Sequence, residues 1–257
     1  MRVLIVTAVP AERDAVVRGV GAAAPEVAEL PVPGGVLHRL SPAPPAGPPL
    51  TVDVLAAGVG PAAAAAGTAA ALTTAAVAHT PYDLAVSAGI GGGFGTARPG
   101  AVRLGSVVVA DAIVAADLGA ETPDGFTAVT DLGFGTVEHL PPAPLVAAVA
   151  EATDAVRGTV LTVSTVTGSA ERAAELLRRH PRAAAEAMEG FGVAEAAAAQ
   201  SVPVLEVRAV SNAVGPRDRA AWRIREALDA LTGAFGTLAP RLGTWTWTSD
   251  PEGTGSD

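Results

Sequence analysis

A chain of 257 residues, nearly half of them apolar but only 4% aromatic, is long enough to enclose a full core and must fill it mainly with Ala and Val. A formal charge of -9, without a long basic run, excludes nucleic-acid binding of the kind that rests on neutralising phosphates. The absence of Cys removes disulfides, thiolate metal sites and thiol nucleophiles together, and no uncharged apolar run approaches the length of a membrane span. The expectation is a cytoplasmic protein with no membrane contact, whose partner is a small molecule or another copy of the chain.

Val3 to Ala8 is a continuous apolar run that leads into Pro10, Glu12, Arg13 and Asp14, so it reads as a first strand covered on both faces and not as a leader. Pro10 suits a first helical turn, which puts Glu12 one turn into a helix at the strand's carboxyl end. Acids are favoured there by the helix dipole, so Glu12 is either decoration or a site carboxylate. Residues 31 to 49 look like a short strand, Val36 to Leu40, and a loose Pro-rich loop. Leu50 to Ala56 is the next strand, and Gly58-Val59-Gly60-Pro61 turns it into an Ala helix reaching about Ala78. That pattern is G-x-G-x-x-A between strand and helix, and two readings stand: a dinucleotide site, or a tight turn with close helix packing. Asp83, at a suitable distance, precedes the next strand instead of closing it, where it would reach a ribose.

Asp83 to Ser87 starts a third buried strand, followed by Gly89-Ile90-Gly91-Gly92-Gly93. Such a run either lets backbone amides approach a ligand closely or serves as a flexible connection. Gly105 to Val114 is another strand, and a turn-rich excursion passes Asp117, Glu121 and Asp124. Pro141 to about Val156 is a helix, Gly158 to Ser164 a strand, and Thr167 or Ser169 caps a charged helix that stops before Pro181. Glu189 stands where an apolar, Ala-rich helix begins. The strand Val202 to Asn212 then delivers Ser211 and Asn212 to the carboxyl edge of the sheet, where open α/β folds bind ligands. Arg217, Arg219, Arg223 and Arg225 follow in a local cationic patch beside that edge, before a last amphipathic helix to about Leu238. The four His residues are scattered without ligand spacing, so no metal or other cofactor is expected. Residues 1–240 read as one domain and 241–257 as a disordered polar tail.

Five motifs in order carry a family likeness: Glu12 after the first strand, G-V-G at Gly58, S-A-G-I-G-G-G at Ser87, A-M-E-G-F-G at Ala187 and R-A-V-S-N at Arg208. With them the chain resembles the nucleoside phosphorylase and nucleosidase family over about residues 1 to 240. The resemblance implies a three-layer αβα sandwich around a mixed, partly barrel-like β-sheet, a homodimer or higher homo-oligomer, and cleavage of the bond between a ribose and a purine. It assigns Glu12 to the attacking water, Glu189 and Met188 to the ribose, Gly89, Ile90 and Ser211 to the substrate pocket, and Asn212 to the base. Adenine-specific relatives carry Asp where Asn212 stands, and a neutral amide cannot act as a general acid toward N7. The amide can donate to O6 of a 6-oxopurine, so hypoxanthine is the implied base. Hydrolysis is expected over phosphorolysis, because Thr7 to Arg13 lacks the G-x-P-x-R phosphate loop of related phosphorylases. Arg217 or Arg219, with Trp222, could receive a carboxylate on the substrate's 5′ side. Ala187 stands where many nucleosidases carry a second acid. The rival readings are an adenine-releasing nucleosidase, an NAD(P)-dependent oxidoreductase using Gly58 to Ala63, and a catalytically idle nucleoside-binding protein.

Overall fold

The computed structural model describes residues 1–22, 26–42, 49–95 and 102–242. Residues 243–257 of the expected tail and most of the Pro-rich loop lie outside them, whereas Arg241 and Leu242, placed in that tail from sequence, close the last helix, because Leu242 is buried in the core. In chain order the elements are β1 (Arg2–Thr7), α1 (Pro10–Gly21), β2 (Ala28–Val32), β3 (Gly35–Leu40), β4 (Thr51–Ala56), α2 (Pro61–Val77) and β5 (Leu84–Gly93). There follow β6 (Val107–Ala115), β7 (Gly119–Thr122), β8 (Gly125–Ala128), β9 (Glu138–His139), α3 (Ala143–Thr153) and β10 (Val156–Thr162). The last third holds α4 (Ala170–Arg179), β11 (Ala183–Ala187), α5 (Gly190–Ala198), β12 (Val204–Ala213), a short 3-10 turn (Arg219–Ala221) and α6 (Ile224–Leu242).

The main sheet runs β11-β10-β6-β12-β5-β1-β4-β3-β2, and β11 also pairs with β5. That second pairing closes five strands, β5, β12, β6, β10 and β11, into a ring, while β1, β4, β3 and β2 extend from it as an open sheet. The expected mixed, partly barrel-like sheet is therefore present. Strand β1 shows why helices cover both faces. Val3 and Ile5 share a core with α1 and α6, whereas Leu4 and Val6 point the other way, into a core with α2 and α5. With side chains on both faces buried, the strand reads as a continuous apolar run.

Two differences from the sequence reading bear on the site. The Gly run is neither a loop nor a flexible connection: β5 continues through Gly93, paired with β12 on one side and β11 on the other. A Cβ at Gly91 would lie 2.7 Å from the Glu186 carbonyl oxygen, so glycine is what lets the ring close this tightly. Strand β11, directly before the Glu189 helix, was not anticipated, because Ala183 to Ala187 has the composition of a helix. The β2 strand and the β7–β8 hairpin were also unanticipated.

Candidate active site

A cavity of about 240 Å³ opens where β1, β5, β11 and β12 end. Its walls come from the β1–α1 connection, the glycine strand, the segment before α4, the β11–α5 junction and the chain after β12. Of the residues proposed from sequence, Glu12, Ile90, Met188, Glu189, Ser211, Asn212 and Arg217 all line it, and Gly89 does not.

Glu12 is placed by its helix. Pro10 opens α1, and at the third helical position the Glu12 side chain folds back so that Oε2 accepts from the Ala8 (3.0 Å) and Val9 (3.3 Å) amides. Oε1 accepts from the Ile90 amide at 2.8 Å, across to β5. The residue is 4% exposed. Burial raises its carboxyl above the ordinary range, against the pull of the Arg208 guanidinium and the Ile90 amide. Gly89 explains how so many groups meet: a Cβ there would lie 2.6 Å from both Glu12 Oε1 and Arg208 Nη1. Its part is to admit the two charged side chains.

Glu189 precedes α5 and is 5% exposed. Its Oε1 accepts from the Gly60 amide (3.1 Å) and its Oε2 from Arg208 Nη1 (3.3 Å). The G-V-G turn, with Gly58 at φ 107° and Gly60 at φ 95°, thus presents its amide to a side chain of the same protein, not to a dinucleotide phosphate. Arg208 is a centre that sequence reasoning missed. It is wholly buried, donating from Nε to Glu206 Oε1 (2.8 Å), from Nη2 to Ser87 Oγ (2.7 Å) and from Nη1 to Glu189. Glu206 lies on the same strand face two residues earlier and against Gly190, the first residue of α5, where the helix dipole favours an anion. Burial holds Glu206 above the ordinary carboxylate range, in opposition to Arg208. Glu12, Glu189 and Glu206 therefore face one guanidinium.

Asn212 ends the polar part of β12. Its Oδ1 accepts from Ser211 Oγ (2.8 Å), and its Nδ2 donates to the Ala213 carbonyl (2.9 Å) with one hydrogen to spare. Ser169 caps α4 as expected, accepting from the Arg172 amide, while Thr167 turns to Glu186 instead. Arg217 lies at the cavity mouth with its guanidinium 5.6 Å from the Trp222 ring centre, and Trp222 also lines the cavity. Arg219 is in the exposed 3-10 turn and lines no part of it. Arg223 points to the Ala220 and Trp222 carbonyls and to Glu226. Among the described residues no group of three or more His, Asp or Glu could hold a metal, and no helix is long and apolar enough to cross a membrane.

The sequence profile of the phosphorylase superfamily matches residues 50–239. A futalosine hydrolase of Streptomyces coelicolor is 67% identical over 245 residues, covering 95% of this chain and 98% of the relative. One from Acidothermus cellulolyticus is 44% identical over 258 residues, covering 97% and 93%. Among solved structures, futalosine hydrolase of Helicobacter pylori superposes with a TM-score of 0.74 at 17% identity, covering 94% of this chain and 98% of the other. The 5′-methylthioadenosine/S-adenosylhomocysteine nucleosidase of Neisseria meningitidis, in complex with methylthio-immucillin-A, gives 0.73 at 18% identity, covering 95% and 99%. These two show a shared fold, and the sequence relatives show the family. The chain belongs to the phosphorylase superfamily and, within it, to the futalosine hydrolases, as an N-glycosyl hydrolase.

Proposed function

We propose that the chain hydrolyses the N-glycosidic bond of futalosine, releasing hypoxanthine and dehypoxanthine futalosine, a step of menaquinone biosynthesis. The observation that carries this reading is the convergence of Glu12, Glu189 and Asn212, from three separate parts of the chain, on one cavity. Glu12 orients a water and takes its proton as the oxygen bonds to C1′. The bond from C1′ to N9 breaks, and its electron pair leaves with the purine. Positive charge grows on the ribose meanwhile, and the anions of Glu12 and Glu189 favour it. Glu189 keeps one lone pair on each oxygen for the ribose hydroxyls, beside Met188. Asn212 donates its spare Nδ2 hydrogen to O6, and the departing base takes its proton from solvent water, to which Glu12 returns the proton it took, because an amide has none to give.

Hydrolysis is favoured over phosphorolysis by the Glu12 hydrogen bonds. The Ala8, Val9 and Ile90 amides are the donors a phosphate would need, and the Glu12 carboxylate already occupies them. Arg217 and Trp222 supply a cation and a flat ring at the mouth for the carboxylated aromatic 5′ group of futalosine. The homo-oligomer that the family resemblance implies is read directly by light scattering on the purified protein.

The test is release of base from futalosine, its 6-amino analogue and methylthioadenosine, in the wild type and in Asn212→Asp. Hypoxanthine release should be fastest in the wild type, and the variant should turn toward the amino substrates by roughly tenfold or more, the value of one matched hydrogen bond. Faster adenine release by the wild type would overturn the reading in favour of an aminodeoxyfutalosine or methylthioadenosine nucleosidase.

A further inference from the structure

The mechanism uses Glu12 and Glu189, and Glu206 is tied to Arg208. A fourth buried acid, Glu186, lines the cavity with no part assigned to it. It lies on β11, where it pairs with Gly92 of β5, and Asn212 pairs with the same Gly92 from β12. Acid and amide thus flank one residue at one level of the ring, two strand spacings apart, or about 10 Å between backbones. Both line the cavity. A Cβ on Gly92 would lie 2.8 Å from Val214 Cγ2 and 3.3 Å from Asn212 Nδ2, so glycine lets the chain after β12 pack closely at this level of the ring.

The Glu186 carboxylate is held from behind. Thr167 donates its amide to Oε1 (2.8 Å) and its hydroxyl to Oε2 (2.5 Å), which leaves each oxygen one further acceptor site. An ionised carboxylate accepts and cannot donate. The purines differ in this respect: a 6-oxopurine carries a hydrogen on N1, and adenine carries a bare lone pair there. An amide can present either end to a ligand, so Asn212 alone discriminates weakly between them, whereas a carboxylate facing N1 favours the oxo form and repels the other.

Resting on the futalosine reading, we propose that Glu186 is the specificity-determining residue of the base pocket, accepting the N1 hydrogen of a 6-oxopurine while Asn212 holds O6. Thr167 is then a positioning residue that aims the carboxylate.

The experiment has a binding arm and a kinetic arm. Wild-type protein, titrated calorimetrically with hypoxanthine and with 1-methylhypoxanthine, should bind the methylated base at least tenfold more weakly, and equal affinities would overturn the proposal without any variant being made. In Glu186→Gln, whose amide can present a donor or an acceptor to N1, the preference for futalosine over its 6-amino analogue in kcat/KM should fall at least tenfold. Thr167→Val, which removes the hydroxyl bond to Oε2 but keeps the acid, should lower the same preference by a smaller factor, and Thr167→Ser should restore it; a preference unmoved by Thr167→Val would overturn the positioning role. An active Glu186→Gln enzyme with undiminished preference would refute the assignment. If the wild type releases no hypoxanthine from futalosine, the proposed function fails instead, and the binding arm still reports on Glu186.

Discussion

Among the described residues Arg208 is the single cation facing the three buried carboxylates Glu12, Glu189 and Glu206, and its loss is the most informative perturbation of this protein. In Arg208→Met the aliphatic stem is nearly kept, but Glu206 loses its counter-charge while remaining fully buried, and Glu189 loses one of its two donors. Breaking a buried pair from one side costs about 3–5 kcal/mol, which for a domain of this length lowers Tm by roughly 6–20 °C. Against a total stability on the order of 5–15 kcal/mol the variant should still fold at low temperature. Adding Glu206→Gln removes the stranded charge and should restore at least half of the loss. Urea unfolding of wild type, both single variants and the double variant measures each step and the coupling. In the two variants that lack Arg208 the acid limb of the kcat/KM profile should move to higher pH, because Arg208 pulls the Glu12 carboxyl down and the proposed mechanism uses Glu12 ionised. A single Arg208→Met variant within about 1 kcal/mol of wild type, or a double variant no more stable than the single, would refute the shared-cation account.

The raised carboxyl of Glu12 also links stability to pH. The folded state binds more protons than the unfolded state between the ordinary carboxylate value of 4.5 and the higher folded value, so the contribution is complete below that window and is lost as pH rises through it. Glu12→Gln should flatten the dependence of Tm on pH above 4.5 while lowering kcat by about 10²–10⁴. Gly89→Ala forces a Cβ against the Glu12 carboxylate and the Arg208 guanidinium, and activity should fall at least tenfold, as steady-state kinetics and a melting curve will show. Arg217→Ala should raise KM for futalosine several-fold and leave KM for inosine unchanged, since only the first substrate offers a carboxylate at the mouth.

Most strands and all six helices could be placed from apolar runs, Pro, Gly and caps, because burial on both faces leaves a plain mark on composition. Strand β11 could not, since Ala183 to Ala187 becomes a strand only by pairing with β10 and β5, a long-range effect that outweighs helix propensity. The Gly run failed for the same reason. Glycine has poor intrinsic strand preference, and here it is demanded by neighbours far along the chain. In the site, Glu12, Glu189 and Asn212 stood at element ends and were conspicuous. Arg208 and Glu206 lay inside an apolar strand and were passed over. The available signal was their spacing: opposite charges two residues apart, on one face of a strand that is otherwise Val, Leu and Ala as far as Val210, have nowhere to go but toward each other. Glu186 carried no such signal, because its partner Thr167 belongs to another element.

The closing of the ring through β5 has a consequence for how the chain is born. As synthesis proceeds from the first residue onward, the first half of β5 can pair with β1 at once, but its glycine-rich second half must wait on both edges for β11 and β12. An unpaired strand edge invites sticking to other nascent chains. Here the waiting segment is mostly glycine, so the residues that let the ring close also leave a stray neighbour scarcely any greasy surface to grip.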